Sequence, residues 1–325
     1  MRGALAALAA LALLAPAWAA RAEPSLPLRD EIALGGDSWL VPGAFNPGRS
    51  PDGNTVILKG PKGAILVDTG RTAGHVESID AALRRLKLRP VAIINTHWHL
   101  DHVSGNLALR AANPAITVYG TSAIEGALTG FLADSAAAAR VAISSGSMPV
   151  SALPDVQGDL DTIARGRELR PDETVDENRD LVLAGRSLSL HVAERAVTAR
   201  DLWIYDAAQR RAIVGDLVTG AVPFLDTACP EGWLHALDAV AAVGARQIIP
   251  GHGAPMNRTG FARWRDAFGD FIACARGSGA LETCSAGWLA GAAEFIGTDG
   301  RRAKAMADYY GELIRSGKLD GYCRA

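Results

Sequence analysis

The chain has 325 residues, room for one large domain or two small ones. Hydrophobic residues make up 49% and charged residues 21%, the balance of an ordinary globular protein. The formal net charge of −2 gives no reason to expect nucleic acid or an anionic membrane as partner.

In chain order, Met1-Arg2 precedes an apolar run from Ala4 to Ala15 and then Pro16-Ala17-Trp18-Ala19-Ala20-Arg21-Ala22. A positive start, a short apolar core and small residues at A-x-A spacing read residues 1–22 as a secretory signal peptide, cut after Ala19 or Ala22. The run is short for a membrane span, so cleavage is favoured over an uncleaved anchor. The mature chain is then expected in the periplasm or outside the cell. Residues 23–30 read as a linker. Strands are expected over 38–41 and 55–59, around a Gly/Pro/Asn-rich loop. A buried strand over 64–67 runs into Asp68-Thr69-Gly70. A helix over 74–86 places Val76, Ile79, Leu83 and Leu86 on one face.

Val91-Ala92-Ile93-Ile94-Asn95 reads as a buried strand, and Thr96-His97-Trp98-His99-Leu100-Asp101-His102 follows it. A helix is expected from 103, a strand over 115–119 and a long alanine-rich helix over 122–143. Residues 144–167 are weakly patterned and read either as a cap over the mouth of a site or as a plain surface loop. In the second half, strands are expected over 181–183, 188–192, 202–205 and 212–214, the last entering Gly215-Asp216. A helix over 232–243 leads to a strand over 246–249 and then Pro250-Gly251-His252-Gly253. The chain is mostly helical from 259.

The seven residues from Thr96 hold three of the chain's seven histidines and a carboxylate, where a strand ends and a helix begins. Neutral imidazole and carboxylate are the ligands that suit zinc. His97 and His99 are two apart and project to one side of an extended loop, while Asp101 and His102 point away toward a second metal position. Elsewhere, His235 falls on a predicted helix and reads as structural. His75, near a helix start, reads as exposed or capping.

The stretch His97-x-His99-x-Asp101-His102 resembles the His-x-His-x-Asp-His signature of the metallo-β-lactamase fold superfamily. Further matches arrive in that family's order: Asp68-Thr69-Gly70, Gly215-Asp216 and Gly251-His252-Gly253. The resemblance covers roughly residues 39–258 and implies an α/β fold, a four-layer αβ/βα sandwich over 31–258, with residues 259–325 as a helical C-terminal extension. It implies metal ligands at His97, His99, Asp101, His102, Asp216 and His252, with Asp216 bridging two ions and Asp68 supporting the histidine loop. It also implies a hydrolase, with Asp101 both holding metal and orienting the attacking water. One match fails. Where the family pattern places a histidine four residues before an Asp-like position, Val197 precedes Asp201. Asp101, His102, Asp216 and His252 then make a complete, tight zinc position, and His97 with His99 a weaker one. Glu194 or, less well, His191 is the candidate substitute.

An exported zinc-dependent hydrolase of an ester, thioester, amide or similar substrate is the leading reading. A β-lactamase proper competes with it, and so does a degenerate non-catalytic metal-binding protein. An oxidoreductase is disfavoured, because the iron-using branches call for Glu at His99 or for the histidine missing at Val197. The layout is similar to lactamase-related hydrolases of periplasmic sulfur-oxidation or quinoprotein systems. Four cysteines in an exported chain point to disulfides. Cys274 and Cys284 flank the flexible Gly277-Ser278-Gly279 segment and suit a local bridge, leaving Cys229 and Cys323 to pair or stay free.

Overall fold

A computed structural model describes residues 28–46, 49–220, 223–297 and 300–324. The expected signal peptide lies outside the described residues. The first sheet has seven strands in chain order: β1 (Ile32–Ala33), β2 (Ser38–Val41), β3 (Thr55–Gly60), β4 (Gly63–Val67), β5 (Pro90–Ile94), β6 (Thr117–Gly120) and β7 (Glu173–Thr174). β1 to β4 pair antiparallel, and β4 to β7 pair parallel. The parallel pairs need crossovers, and helices supply them. They are α1 (Ala73–Leu86), then α2 (Leu100–Val103) with α3 (Asn106–Ala112), then α4 (Ala123–Thr129), α5 (Phe131–Ser144) and α6 (Leu153–Ala164).

The second sheet has six strands: β8 (Arg179–Leu183), β9 (Arg186–Glu194), β10 (Arg200–Asp206), β11 (Arg211–Thr219), β12 (Gln247–His252) and β13 (Met256–Asn257). Only β11 and β12 run parallel, joined by α7 (Pro230–Ala242). After β13 come α8 (Arg258–Arg276), α9 (Leu281–Gly291), α10 (Ala293–Ile296) and α11 (Gly300–Arg315). Among the described residues, no helix is long and apolar enough to cross a membrane.

Alternation along the strands builds the layers. Ile65 and Val67 of β4 join Leu202 and Ile204 of β10, Ile213 of β11 and Ile249 of β12 in the core between the sheets. Their neighbours Ala64 and Leu66 pack outward on Val76, Ile79 and Leu83 of α1. On the far side, Ala212, Val214 and Ile248 pack on α7, α8, α9 and α11, around Trp233, Trp264, Phe268 and Trp288. Helix, sheet, sheet, helix is the αβ/βα sandwich, with a helical C-terminal region. Each fully buried Leu, Ile or Val contributes about 1.5–3 kcal/mol relative to exposure, so a one-residue slip that turned β4 over would be costly.

Two elements differ from the sequence expectation. The helix expected over 122–143 breaks at Gly130 into α4 and α5. Residues 144–167 hold α6, which caps the site, in place of irregular chain. Both bridges form: Cys274–Cys284, with Cα atoms 5.5 Å apart, and Cys229–Cys323, 94 residues apart.

Candidate metal centre

The strand ends converge on one edge of the sandwich. His97, His99, Asp101 and His102 follow β5, Asp68 follows β4, Asp216 lies in β11 and His252 ends β12; all are buried. His97, His99 and Asp216 present ligand atoms within 4.8 Å of one another, and so do Asp101, His102 and His252. Asp216 stands between the groups. Its Oδ2 lies 3.7 Å from His97 Nε2, and its Oδ1 lies 3.1 Å from His102 Nε2 and 3.5 Å from His252 Nε2. Asp101 Oδ2 is 3.1 Å from His252 Nε2, while Oδ1 faces Arg71 at 3.6 Å. Two glycines permit this closeness. A Cβ on Gly251 would fall 2.0 Å from Asp216 Oδ1, and Gly215, at φ +50°, would meet Thr96 Oγ1 at 2.4 Å.

Neighbouring groups select the tautomer of three imidazoles. Asp68, itself at φ 59°, accepts from the Thr96 amide and hydroxyl, each at 2.7 Å, and from His102 Nδ1 at 2.9 Å. His102 therefore turns a lone pair on Nε2 toward the site. The Thr96 hydroxyl has given its proton to Asp68, so it accepts from His97 Nδ1 at 3.0 Å and leaves His97 Nε2 bare. The Thr227 hydroxyl donates to the Val197 carbonyl and so accepts from His99 Nε2, both at 2.9 Å. His99 is left with Nδ1 as its lone pair.

These residues fit a metal ion. His97 Nε2, His102 Nε2 and Asp216 Oδ1 are buried and lack hydrogen-bond partners, and two of those lone pairs face each other across 3.1 Å. Such an arrangement repels unless a proton or a metal ion lies between. Burial penalises a charged His102, yet Asp216, Asp68 and Asp101 outweigh it and hold the ring protonated well above its ordinary range. A metal ion takes the place of that proton. Burial, then His102 and His99, pushes His97 well below its ordinary value, and burial holds His99 at about 4. Both rings therefore stay neutral, as ligands must. Asp101 is ionised despite burial, held low by His102, His252 and Arg71.

The centre opens into a cavity of about 390 Å³. Phe131, Leu132, Ala136 and Ala139 of α5 and Val156, Leu160 and Ile163 of α6 line it, with Phe224 and, from α11, Met306 and Tyr310. Arg71 joins this wall to the centre. Its guanidinium grips both oxygens of Asp159 on α6, at 2.7 and 2.6 Å, while facing Asp101.

A family model described as the metallo-beta-lactamase superfamily matches residues 48–252. The chain belongs to that superfamily. It is 23% identical over 220 residues to a linear primary-alkylsulfatase of Pseudomonas sp., covering 62% of this chain and 41% of that one. It is 44% identical over 68 residues to a hydroxyacylglutathione hydrolase of Gloeobacter violaceus, covering 19% of this chain and 27% of that one. The chain thus spans less than half the length of these curated relatives. Among solved structures, a metallo-beta-lactamase from Pontibacter korlensis superposes with a TM-score of 0.54 at 16% identity, covering 74% of this chain and 99% of that one. A sec-alkylsulfatase from Pseudomonas sp. superposes at 0.59 with 19% identity, covering 79% and 45%.

Where the superfamily pattern departs, at Val197, the loop itself is intact. Asp201 accepts from the amides of Val197 and Thr198, and burial raises its carboxyl to about 7. The Val197 side chain is buried in the apolar core under β11. Neither proposed substitute reaches the centre. Glu194 is exposed and pairs with Arg200 at 3.8 Å, and His191 stacks on Trp203 at 3.9 Å. His235 is exposed on α7. His75 corrects an expectation: it is buried, its Nε2 bonded to Thr55 Oγ1 at 2.9 Å, and burial lowers it to about 4. The reason is the helical face, since His75, Ile79 and Ala82 turn together toward the first sheet. Arg71, Asp159 and Thr227 were missed, and no local signal distinguishes them from surface charges and a turn threonine.

Proposed function

We propose that the chain is a zinc-dependent hydrolase acting on a small ester, thioester, amide or similar substrate. The orphaned polar atoms of His97, His102 and Asp216, buried beside the His99, Asp101, Asp216 and His252 side chains that line an open cavity, carry this reading. Zinc, when bound, supplies Lewis acidity and a water acidic enough to act as nucleophile near neutral pH. Asp101, His102, Asp216 and His252 would hold the tighter ion, and His97, His99 and the shared Asp216 the weaker one. Asp101 keeps its charge beside Arg71 and orients the water. Thr227, Thr96 and Asp68 hold the three imidazoles in ligating tautomers, and the apolar walls limit competing water.

Zinc titration, paired with rates on a panel of esters, thioesters, alkyl sulfates and a β-lactam, tests this. Hydrolysis should vanish with chelator and return with zinc. His252→Ala should abolish the tight site, and His97→Ala should leave it largely intact. A wild type that binds no zinc and hydrolyses no member of the panel would sink the proposal.

We further propose export with cleavage after Ala19 or Ala22, supported by the signal-like N-terminus and by two disulfides, which persist in oxidising compartments. Mass spectrometry of the protein from its host should find a chain starting at Ala20 or Glu23. An intact Met1 in that fraction speaks against it.

A further inference from the structure

The cavity beside the centre is more specific than a generic small-molecule cleft. Its wall is built from aliphatic and aromatic side chains, and the half-buried members Phe131, Ala139, Val156, Ile163, Phe224 and Met306 still present apolar surface to it. Several polar groups along that wall are engaged, while Ser135 and Arg302 also line it, Arg302 over the Phe45 ring at 4.8 Å. Arg71 and Asp159 satisfy each other, and the Tyr310 hydroxyl donates to Asp226 at 2.9 Å. The wall is also preformed. Two arginine–carboxylate pairs one turn apart, Arg49–Asp155 and Arg71–Asp159, clamp α6 to the loop and helix start that follow β2 and β4. A band of rings runs from the centre into this space: His99 to Phe224 at 5.2 Å, and Phe224 to Phe131 and Tyr310 at 6.4 and 6.3 Å. Water in such a space finds few partners, so an apolar group gains by displacing it.

We propose that the cavity is a subsite for an unbranched aliphatic chain, so that the substrate is an ester-type molecule carrying such a chain on the side that enters between α5 and α6. This rests on the hydrolase reading above and deepens it. At 390 Å³ the space holds on the order of ten carbon atoms, if each takes about the ~30 Å³ of a liquid water molecule. The metal centre at one end receives the scissile group, and beyond it the lining is mainly aliphatic and aromatic, with Ser135 and Arg302 as its few further polar groups, which disfavours a sugar-like substituent.

The test uses the zinc-loaded full chain and calorimetric titration with the n-alkanoates from butanoate to dodecanoate, the acids that such an ester releases. Affinity should rise about fourfold per methylene and stop rising near the length that fills the cavity. Ala139→Phe, checked for an unchanged fold by circular dichroism, should move that limit to a shorter chain. Affinity that is flat across the series, or a limit that ignores Ala139→Phe, overturns the subsite. Zinc-dependent hydrolysis of acetate esters with a flat alkanoate series removes the subsite and leaves the hydrolase reading standing. A rising, limited series in a protein that hydrolyses nothing keeps the subsite and removes the hydrolase reading.

Discussion

In the proposed centre His99 would ligate through Nδ1 only as long as Thr227 keeps Nε2 protonated, and Thr227 can do so only because its own hydrogen is donated to the Val197 carbonyl. Valine at 197 cannot bind metal, yet its backbone oxygen still orders the centre. Thr227→Val keeps the volume and removes the hydroxyl, leaving a buried N–H and a buried carbonyl without partners. We expect the ion at His97, His99 and Asp216 to bind about 10–100-fold more weakly, with the ion at Asp101, His102 and His252 little changed. Competition against a chromophoric chelator reads both sites, and Thr227→Ser should restore the loss. Equal weakening of the two sites would mean that Thr227 acts on the fold and not on His99.

At the scale of elements, residues 223–228, which carry Phe224 and Thr227, lie outside helix and strand between two anchored neighbours. One end is β11. The other is Cys229, which caps α7 and is bridged to Cys323 beyond α11. That bridge closes 94 residues, whereas Cys274–Cys284 closes 10 between α8 and α9. A longer closed loop removes more freedom from the unfolded chain. The double variant Cys229→Ser/Cys323→Ser should therefore lose about 2–4 kcal/mol in urea unfolding, and Cys274→Ser/Cys284→Ser less. The opposite order would show that strain or local packing, not loop length, dominates. The break at Gly130 has a related logic. It lets α4 and α5 turn separately, so Ile124 and Leu132 reach one small core with Trp98 while Ala136 and Ala139 face the cavity.

Across the whole molecule, the centre is a joint between the two sheets. Asp68 and the histidine loop come from the first sheet, and Asp216 and His252 from the second. An ion held there would favour the folded state by mass action, and its removal would leave the Asp101 and Asp216 carboxylates close together in a buried site. Chelation should lower the unfolding temperature, by an amount matching about 2.7 kcal/mol when free metal had stood at 100 times its dissociation constant. Scanning calorimetry with and without EDTA measures it, and an unchanged midpoint would argue against a structural share for the ion.

Much of this was legible in the chain because it is local. β4, β5, β11 and β12 announce themselves as short apolar runs, and a polar motif follows each run, inside β11 and at or just past the ends of the others, so pattern and ligand lie within a few residues of one another. What the tertiary structure decided is what lies far apart in sequence. Thr227 is 128 residues from His99, and Asp159 is 88 from Arg71, so no spacing could pair them. Glu194 and His191 looked like substitutes at 197 because they are near it in sequence, but a strand end and a stacked ring turn them elsewhere. α6 carries Val156, Leu160 and Ile163 at helical spacing toward the cavity, but Pro154 and Gly158 among them, and the Ser- and Gly-rich stretch before them, read as loop. The residues alone determined the sheets and the metal-binding chemistry, through periodicity and ligand type. Folding decided which nitrogen each imidazole turns inward and which side chains wall the cavity beside the centre, because both depend on contacts between segments that the sequence keeps apart.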